Sequence, residues 1–228
     1  MEVENYWEKF WKTNDIIFRD GIHQKIGRTI NGIPISNEKW ETVLNDLAFH
    51  LQLENEDVIL DIAAGSGAIA IPFSEKVKNV TAIDISQKLL DSIENRSNLN
   101  KINSDIRKYE FEENSFSKII FYFALQHFTE QETVVLFSKI YKWLKPGGIC
   151  FIGDIPDIDR KFTFFNSVER ETVYFNQIST GNPIIGTWFK KDFMLKLANW
   201  SGFSKCIALD QPKEYINSHY RFDIKLIK

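Results

Sequence analysis

The segment VILDIAAGSGAIA, residues 58 to 70, carries the strongest chemical signal in the chain. An apolar run ends in paired glycines, Gly65 and Gly67, that open a helical stretch. The backbone there can approach a ligand closely, and the first free N–H groups of the helix face it. A nucleotide-like ligand suits that arrangement. Gly65, Gly67 and Ala70 satisfy the spacing G-x-G-x-x-A, which a dinucleotide-binding turn also uses. Asp61 weighs between the two ligand types. A carboxylate at the C-terminal end of a buried strand, ahead of the first glycine, repels a pyrophosphate but suits a ligand carrying an ammonium group.

Asp84 closes the next apolar run, NVTAIDI, with Ile85 beside it. In a doubly wound sheet that position neighbours the glycine turn, where a carboxylate accepts two hydrogen bonds from a ribose diol. Both cofactor types place an acid there. Ser104, Asp105 and Ile106 close the third run: an acid there can accept from the exocyclic amine of adenine while Ile106 packs on the ring. Tyr122, Gln126, His127 and Asp154 stand at the ends of the fourth and fifth runs. A proton acceptor is expected among them, and His127, among the first polar residues after SKIIFYFAL, is the foremost candidate for a general base facing the substrate.

These residues must be positioned by a sheet. VILDIA (58–63), NVTAIDI (79–85), INSDI (102–106), SKIIFYFAL (117–125) and GGICFIGDI (147–155) alternate with helical stretches. The alternation predicts right-handed crossovers and an α/β fold whose mostly parallel sheet has helices on both faces. FSKCIALDQ and HYRFDIKLIK are joined by QPKEYINS, too short for a helical crossover, so these two strands should be antiparallel. Ahead of the sheet, aromatic residues over positions 1 to about 20 predict an amphipathic helix. DGIHQKIGRTINGIP reads as loop, and Ser36 caps a helix through Trp40, Val43, Leu44, Leu47 and Leu51. The expected organisation is a helical extension or lid over 1–55 and a ligand-binding domain over 56–228. Within it, 155–188, with Phe162, Phe164, Phe165, Tyr174, Phe175 and Trp188, is expected to form a lid and substrate wall.

Two hundred and twenty-eight residues with 43% hydrophobic and 26% charged side chains can bury a full core, and exclude disordered and disulfide-scaffold classes. Net charge is −3, which argues against a nucleic-acid partner. The four histidines are scattered and Cys150 and Cys206 match no ligand spacing, so no metal is expected. Free thiols, a polar N-terminus and the lack of a long apolar run point to a cytoplasmic protein without a membrane anchor. The oligomeric state stays open, with a homodimer allowed.

LDIAAGSG, AIDIS, NSDI, FYFALQHF and LKPGG occur in an order and at intervals that resemble the class I S-adenosylmethionine-dependent methyltransferases, over roughly residues 57 to 228. The resemblance implies a Rossmann-like seven-stranded sheet with an antiparallel last strand, S-adenosylmethionine as cofactor and a small-molecule methyl acceptor. It places Asp61, Ala63, Gly65 and Gly67 around the methionine moiety, Asp84 at the ribose, and Asp105 with Ile106 at the adenine. Ala63 stands where many members have glycine, and Ser117 where an Asp is usual. HQKIGRT more loosely resembles a stretch ahead of the core in small-molecule methyltransferases, some of polysaccharide and amino-sugar pathways. That likeness implies that Tyr6, Trp7, Gln24, Gly27 and Arg28 fold over the cofactor, Arg28 meeting its carboxylate, and that the acceptor is a sugar or polysaccharide precursor methylated at oxygen or nitrogen. A NAD-dependent oxidoreductase and a non-catalytic cofactor-binding scaffold are the alternatives.

Overall fold

Ser36 sets the first long helix, its hydroxyl accepting from the Lys39 N–H at 3.3 Å. In the computed structural model, which describes residues 6–13, 21–30, 33–181 and 185–228, the chain begins with α1 (Tyr6–Thr13), the two-residue strands β1 (Thr29–Ile30) and β2 (Ile33–Pro34), and α2 (Asn37–Leu51). α2 buries Trp40, Val43, Leu44, Leu47 and Leu51, the stripe that its sequence period predicts. The expected N-terminal helix is described only over α1, and residues 14–20 lie outside the described residues.

Most of the apolar runs that follow, the strand Leu99–Asn103 excepted, are largely buried on both faces, which favours parallel pairing with covering helices. They form β3 (Val58–Ile62), α3 (Ala70–Ser74), β4 (Asn79–Asp84), α4 (Gln87–Asp91), β5 (Leu99–Asn103), β6 (Phe116–Tyr122), α5 (Glu130–Trp143) and β7 (Leu144–Pro156). α6 (Lys161–Phe164), α7 (Val168–Thr180), α8 (Lys191–Trp200), β8 (Lys205–Asp210) and β9 (Arg221–Ile227) complete the chain. The seven-stranded sheet has the order β5-β4-β3-β6-β7-β9-β8. β9 is antiparallel to both neighbours, as the short 211–218 connection requires, and the remaining strands run one way.

Several boundaries differ from the sequence expectation. The third strand is Leu99–Asn103 rather than 102–106, because Asn103 clamps the sheet edge through its amide, donating to Asp84 O and Ile85 O at 3.1 Å each. Asp105 is released into the following turn, where it clasps Arg107. α3 is a single turn: Asn98 Nδ2 donates to Ser74 O and Val77 O, so these carbonyls are satisfied without further helix. LKPGG is absorbed into the start of β7, with a register shift opposite Phe116 and Lys118. Thr129 and Glu132 form a reciprocal capping box that starts α5 just beyond the end of β6.

Two cores sandwich the sheet. One gathers Phe137, Trp143, Met194 and Phe203 with Ile119, Phe121 and Ile224, under α5 and α8. The other gathers Trp40, Leu44, Leu47 and Phe73 with Ile59, Val80 and Ile120, under α2 and α3. Ser117, the departure noted above, serves this frame. Its hydroxyl donates to Asp57 Oδ1 at 2.7 Å and accepts from Val58 N at 2.9 Å, tying β6 to the start of β3. The C-terminal ends of β3, β4 and β6 are thereby fixed on one edge, where open α/β sheets hold their ligands.

Candidate active site

Glycine is required at position 65, whose φ is +56° and where a Cβ would stand 2.8 Å from Ile26 Cγ2. The Ile22 to Arg28 segment thus lies directly on the glycine turn, pinned by Ser66 Oγ donating to Ile22 O at 2.7 Å. Trp40 Nε1 donates to Ala68 O at 2.9 Å and fastens α2 to the same turn. Ala63 holds φ +55°, a left-handed conformation costing an L-residue about 1–2 kcal/mol, which accounts for the glycine preferred at this place.

This turn opens a cavity along the sheet edge. Asp61, Ala63, Gly65 and Tyr122 line one end; Asp84 and Ile85 the middle; Ser104, Asp105 and Ile106 the far end. His127, Arg28, Trp7 and Trp11 cover it. Two expected site residues lie elsewhere. Gly67 does not reach the cavity: a Cβ on it would meet Ile93 at 2.9 Å and Ile71 at 3.1 Å, so its role is close packing and turn geometry at φ +80°. Tyr6 is 44% exposed and stands off the cavity, because α1 turns Trp7 and Trp11 inward instead.

The acids of the cavity differ in what they already bind. Asp84 Oδ2 accepts from Gly65 N and Oδ1 from Ser86 N, each at 2.8 Å, so it holds the glycine turn as well as facing the cavity. Burial nonetheless raises its pKa to about 6. Asp105 grips Arg107 through both oxygens at 2.9 Å. Asp61 Oδ2 is buried with no hydrogen-bond partner among the described residues. Burial raises Asp61 to about 7, with Arg28 opposing and Asp84 adding to the rise. Arg28 is buried too, its Nε and Nη1 without a partner among the described residues, with its guanidinium 3.9 Å over the Trp40 ring. A cavity end that offers two guanidinium nitrogens and one carboxyl oxygen, all buried and without hydrogen-bond partners among the described residues, fits a zwitterion.

His127 sits under α1, its ring 4.2 Å from that of Trp7 and 5.6 Å from that of Trp11. Burial, with Arg221 adding, lowers its pKa to about 3, so the imidazole is neutral.

A second cavity of about 200 Å3 adjoins the first across Arg28, Tyr122 and Phe123, and His127 does not line it. Its polar wall is Asp154, Gln211 and Asn217, and its rings are Trp40, Tyr122, Phe123, Phe164, Tyr215 and Tyr220. The sequence reading missed most of these, since QPKEYINS presents itself as a plain connector. Of the described residues within the expected 155–188 wall, only Phe164 reaches this cavity. Phe165 and Trp188 pack with Tyr220 in a separate cluster, and Phe162 and Phe175 are more than half exposed. Among the described residues no helix is long and apolar enough to cross a membrane, and no group of three or more His, Cys, Asp or Glu could hold a metal ion.

Residues 59–148 match the family model described as a methyltransferase domain. The phosphoethanolamine N-methyltransferase of Plasmodium falciparum is 34% identical over 122 residues, 51% of this chain and 44% of that protein. A ubiquinone/menaquinone biosynthesis C-methyltransferase of Blochmanniella pennsylvanica is 34% identical over 42% of this chain and 41% of its own length. The chain thus spans less than half the length of the curated relatives it matches. Among solved structures, a Leishmania major SAM-dependent methyltransferase superposes with a TM-score of 0.67 at 13% identity, covering 97% of this chain and 81% of that one. Haemonchus contortus phosphoethanolamine N-methyltransferase 2, bound to S-adenosylhomocysteine, gives 0.62 at 18% identity over 83% of this chain and 52% of that one. S-adenosylmethionine is a zwitterion at its methionine end, and the unpartnered Asp61 and Arg28, the Asp84 carboxylate and the uncrowded Gly65 backbone fit it. Residues 59–148 thus carry a methyltransferase domain, and the chain has the fold of the S-adenosylmethionine-dependent methyltransferases on which it superposes.

Proposed function

We propose that this chain transfers a methyl group from S-adenosylmethionine to a small-molecule acceptor, a sugar or polysaccharide precursor being the class put forward. The observation that carries the reading is the pairing of unpartnered Asp61 and Arg28 at one end of a single cavity with Asp84 and Ile106 further along it. Asp61 would receive the cofactor's ammonium and Arg28 its carboxylate. Asp84 keeps unused lone pairs beyond its two backbone donors and would accept from the ribose hydroxyls. Ser104, Asp105 and Ile106 would bound the adenine, and Ile85 the ribose. When bound, the cofactor supplies a sulfonium-activated methyl group, so the protein's task is alignment and exclusion of water. Trp7 and Trp11 exclude water by covering the cavity, and neutral His127 supports their rings. The reading places the chemistry in a reducing compartment such as the cytoplasm, where the free thiols of Cys150 and Cys206 persist.

Relatives named for phosphoethanolamine, quinone-pathway and sterol methylation all act on small molecules, which supports the acceptor's size class and not its identity. The test is incubation of the purified chain with methyl-labelled S-adenosylmethionine and fractionated small-molecule extract, with separate sugar-nucleotide fractions. Label in a low-molecular-weight product, with stoichiometric S-adenosylhomocysteine, is the expected result. Label confined to protein or nucleic acid would reject the acceptor class.

A further inference from the structure

Building on the cofactor assignment above, we infer that the second cavity is the acceptor pocket, that it takes a neutral ring compound bearing a hydroxyl, and that Asp154 receives the hydroxyl proton.

Asp154 lies near the end of β7 at φ +60°, inside a register shift between Ile152 and Ile155 that interrupts the β7–β9 ladder. A non-glycine residue persists in that region only where its surroundings over-determine it. Here they do. Its N–H donates to Asp223 Oδ1 at 2.7 Å, while its carboxylate accepts from Asn217 Nδ2 at 3.2 Å and Gln211 Nε2 at 3.3 Å. Arg221 Nε stands 3.7 Å from Oδ1, and Arg221 Nη1 donates to Asp154 O and, at 3.2 Å, to Gln126 Oε1. The strained backbone and four neighbours aim one carboxylate into a cavity adjoining the unpartnered end of the cofactor site.

The missing partners define the ligand. Gln211 Oε1 is buried beside Asp154 with no donor among the described residues, so the pocket calls for an O–H or N–H. An ammonium is disfavoured. Arg28 already lies over the rings of Trp40 and Tyr122, and Arg221 over those of Phe123 and Tyr220, so the aromatic faces that would attract a cation carry two. Asp154 is the only carboxylate among the described lining residues, against the lining Arg28 and against Arg221, whose Nε stands 3.7 Å from it. A neutral ring presenting a hydroxyl satisfies Gln211 and Asp154 and packs against the aromatic walls. Such a hydroxyl holds its proton at neutral pH and needs a base as it reacts. Its oxygen forms the bond to the methyl carbon, the carbon–sulfur electron pair stays with sulfur, and the proton passes to an Asp154 oxygen. His127, which lines only the cofactor cavity, takes no part in that proton transfer.

Sugars and phenols share this chemistry, and probes separate them. Saturation-transfer NMR is run on the full chain with catechol, methyl glucoside and benzylamine, with and without S-adenosylhomocysteine. Asn also tolerates the left-handed backbone, so Asp154→Asn keeps the fold, checked by S-adenosylhomocysteine affinity within a few-fold of wild type. At least one hydroxyl probe is expected to bind and benzylamine not to, with Asp154→Asn weakening the hydroxyl probe about tenfold, the loss of one charged hydrogen bond. Gln211→Met, of similar volume, should weaken it several-fold. With S-adenosylmethionine and the probe that binds, Asp154→Asn should lower methylated product at least about a hundredfold. Binding of benzylamine as strong as that of the hydroxyl probes, binding of neither hydroxyl probe, or unchanged behaviour of Asp154→Asn overturns the inference. Failure to bind S-adenosylhomocysteine overturns the cofactor assignment instead, and the probe titrations without it keep the two failures distinct.

Discussion

Asp61 should make cofactor binding release protons. In the free protein burial holds it at about 7, so at pH 6 about nine-tenths of the molecules carry it protonated. An ammonium group beside it favours the ionised form and expels that proton. Affinity for S-adenosylhomocysteine should therefore fall about tenfold, or ~1.4 kcal/mol, for each pH unit below 7. Asp84, raised to about 6, adds about half a proton at pH 6 at most, while His127, lowered to about 3, adds nothing in this window. Calorimetric titrations at pH 6 in buffers of differing ionisation enthalpy should give roughly one to one and a half protons released. Asp61→Asn should leave about half a proton or fewer. For the unliganded fold the sign reverses. A carboxyl whose folded value is raised contributes stability that is complete below about pH 4 and is lost as pH rises through about 7. Asp61→Asn should thus stabilise the unliganded protein at pH 8 by on the order of 2–4 kcal/mol, seen as a raised melting temperature, while weakening cofactor binding. An affinity independent of pH between 5.5 and 8, or a proton count unchanged in Asp61→Asn, would refute the assignment of Asp61.

Gly65→Ala would place a Cβ against Ile26 at left-handed φ, and should cost about 1–3 kcal/mol in denaturant unfolding while loosening the Ile22 to Arg28 segment, seen as faster hydrogen exchange there. Asp84→Ala leaves the N–H groups of Gly65 and Ser86 without their acceptor; S-adenosylhomocysteine binding should weaken by about 2–4 kcal/mol in calorimetry, and an unchanged Kd would mean that the second strand of the nucleotide half has been misread. Trp7→Ala should open the cofactor cavity above His127, raising the dissociation rate of S-adenosylhomocysteine about tenfold in stopped flow with little change in global stability, because α1 packs at the molecule's edge.

The parallel strands were legible because buried runs such as VILDI and SKIIFY have no other use for that many apolar residues in a row. The placement of Asp61, Asp84 and Gly65 on one cavity was legible for a related reason: charge or glycine at the end of such a run needs a ligand or a turn. Gly67 was misjudged because the same residue type answers packing against Ile93 as readily as ligand approach. Strand Leu99–Asn103 was displaced by three residues because LNKIN alternates weakly, and what ends it is the Asn103 amide bonding across to β4, a tertiary contact no local pattern records. The second cavity was legible only in Tyr122, Asp154 and Phe164. Gln211, Asn217, Tyr215 and Tyr220 acquire meaning only when β9 returns antiparallel beside β7 and brings them to Asp154.

The central claim is that one cavity, built by Asp61, Gly65, Asp84 and Ile106, holds S-adenosylmethionine. Its most direct test is a calorimetric comparison of S-adenosylhomocysteine with NADH on the intact chain. One-to-one binding of S-adenosylhomocysteine, weakened in Asp84→Ala, together with no heat from NADH is the predicted outcome. Binding of NADH with an affinity equal to or tighter than that of S-adenosylhomocysteine would contradict it.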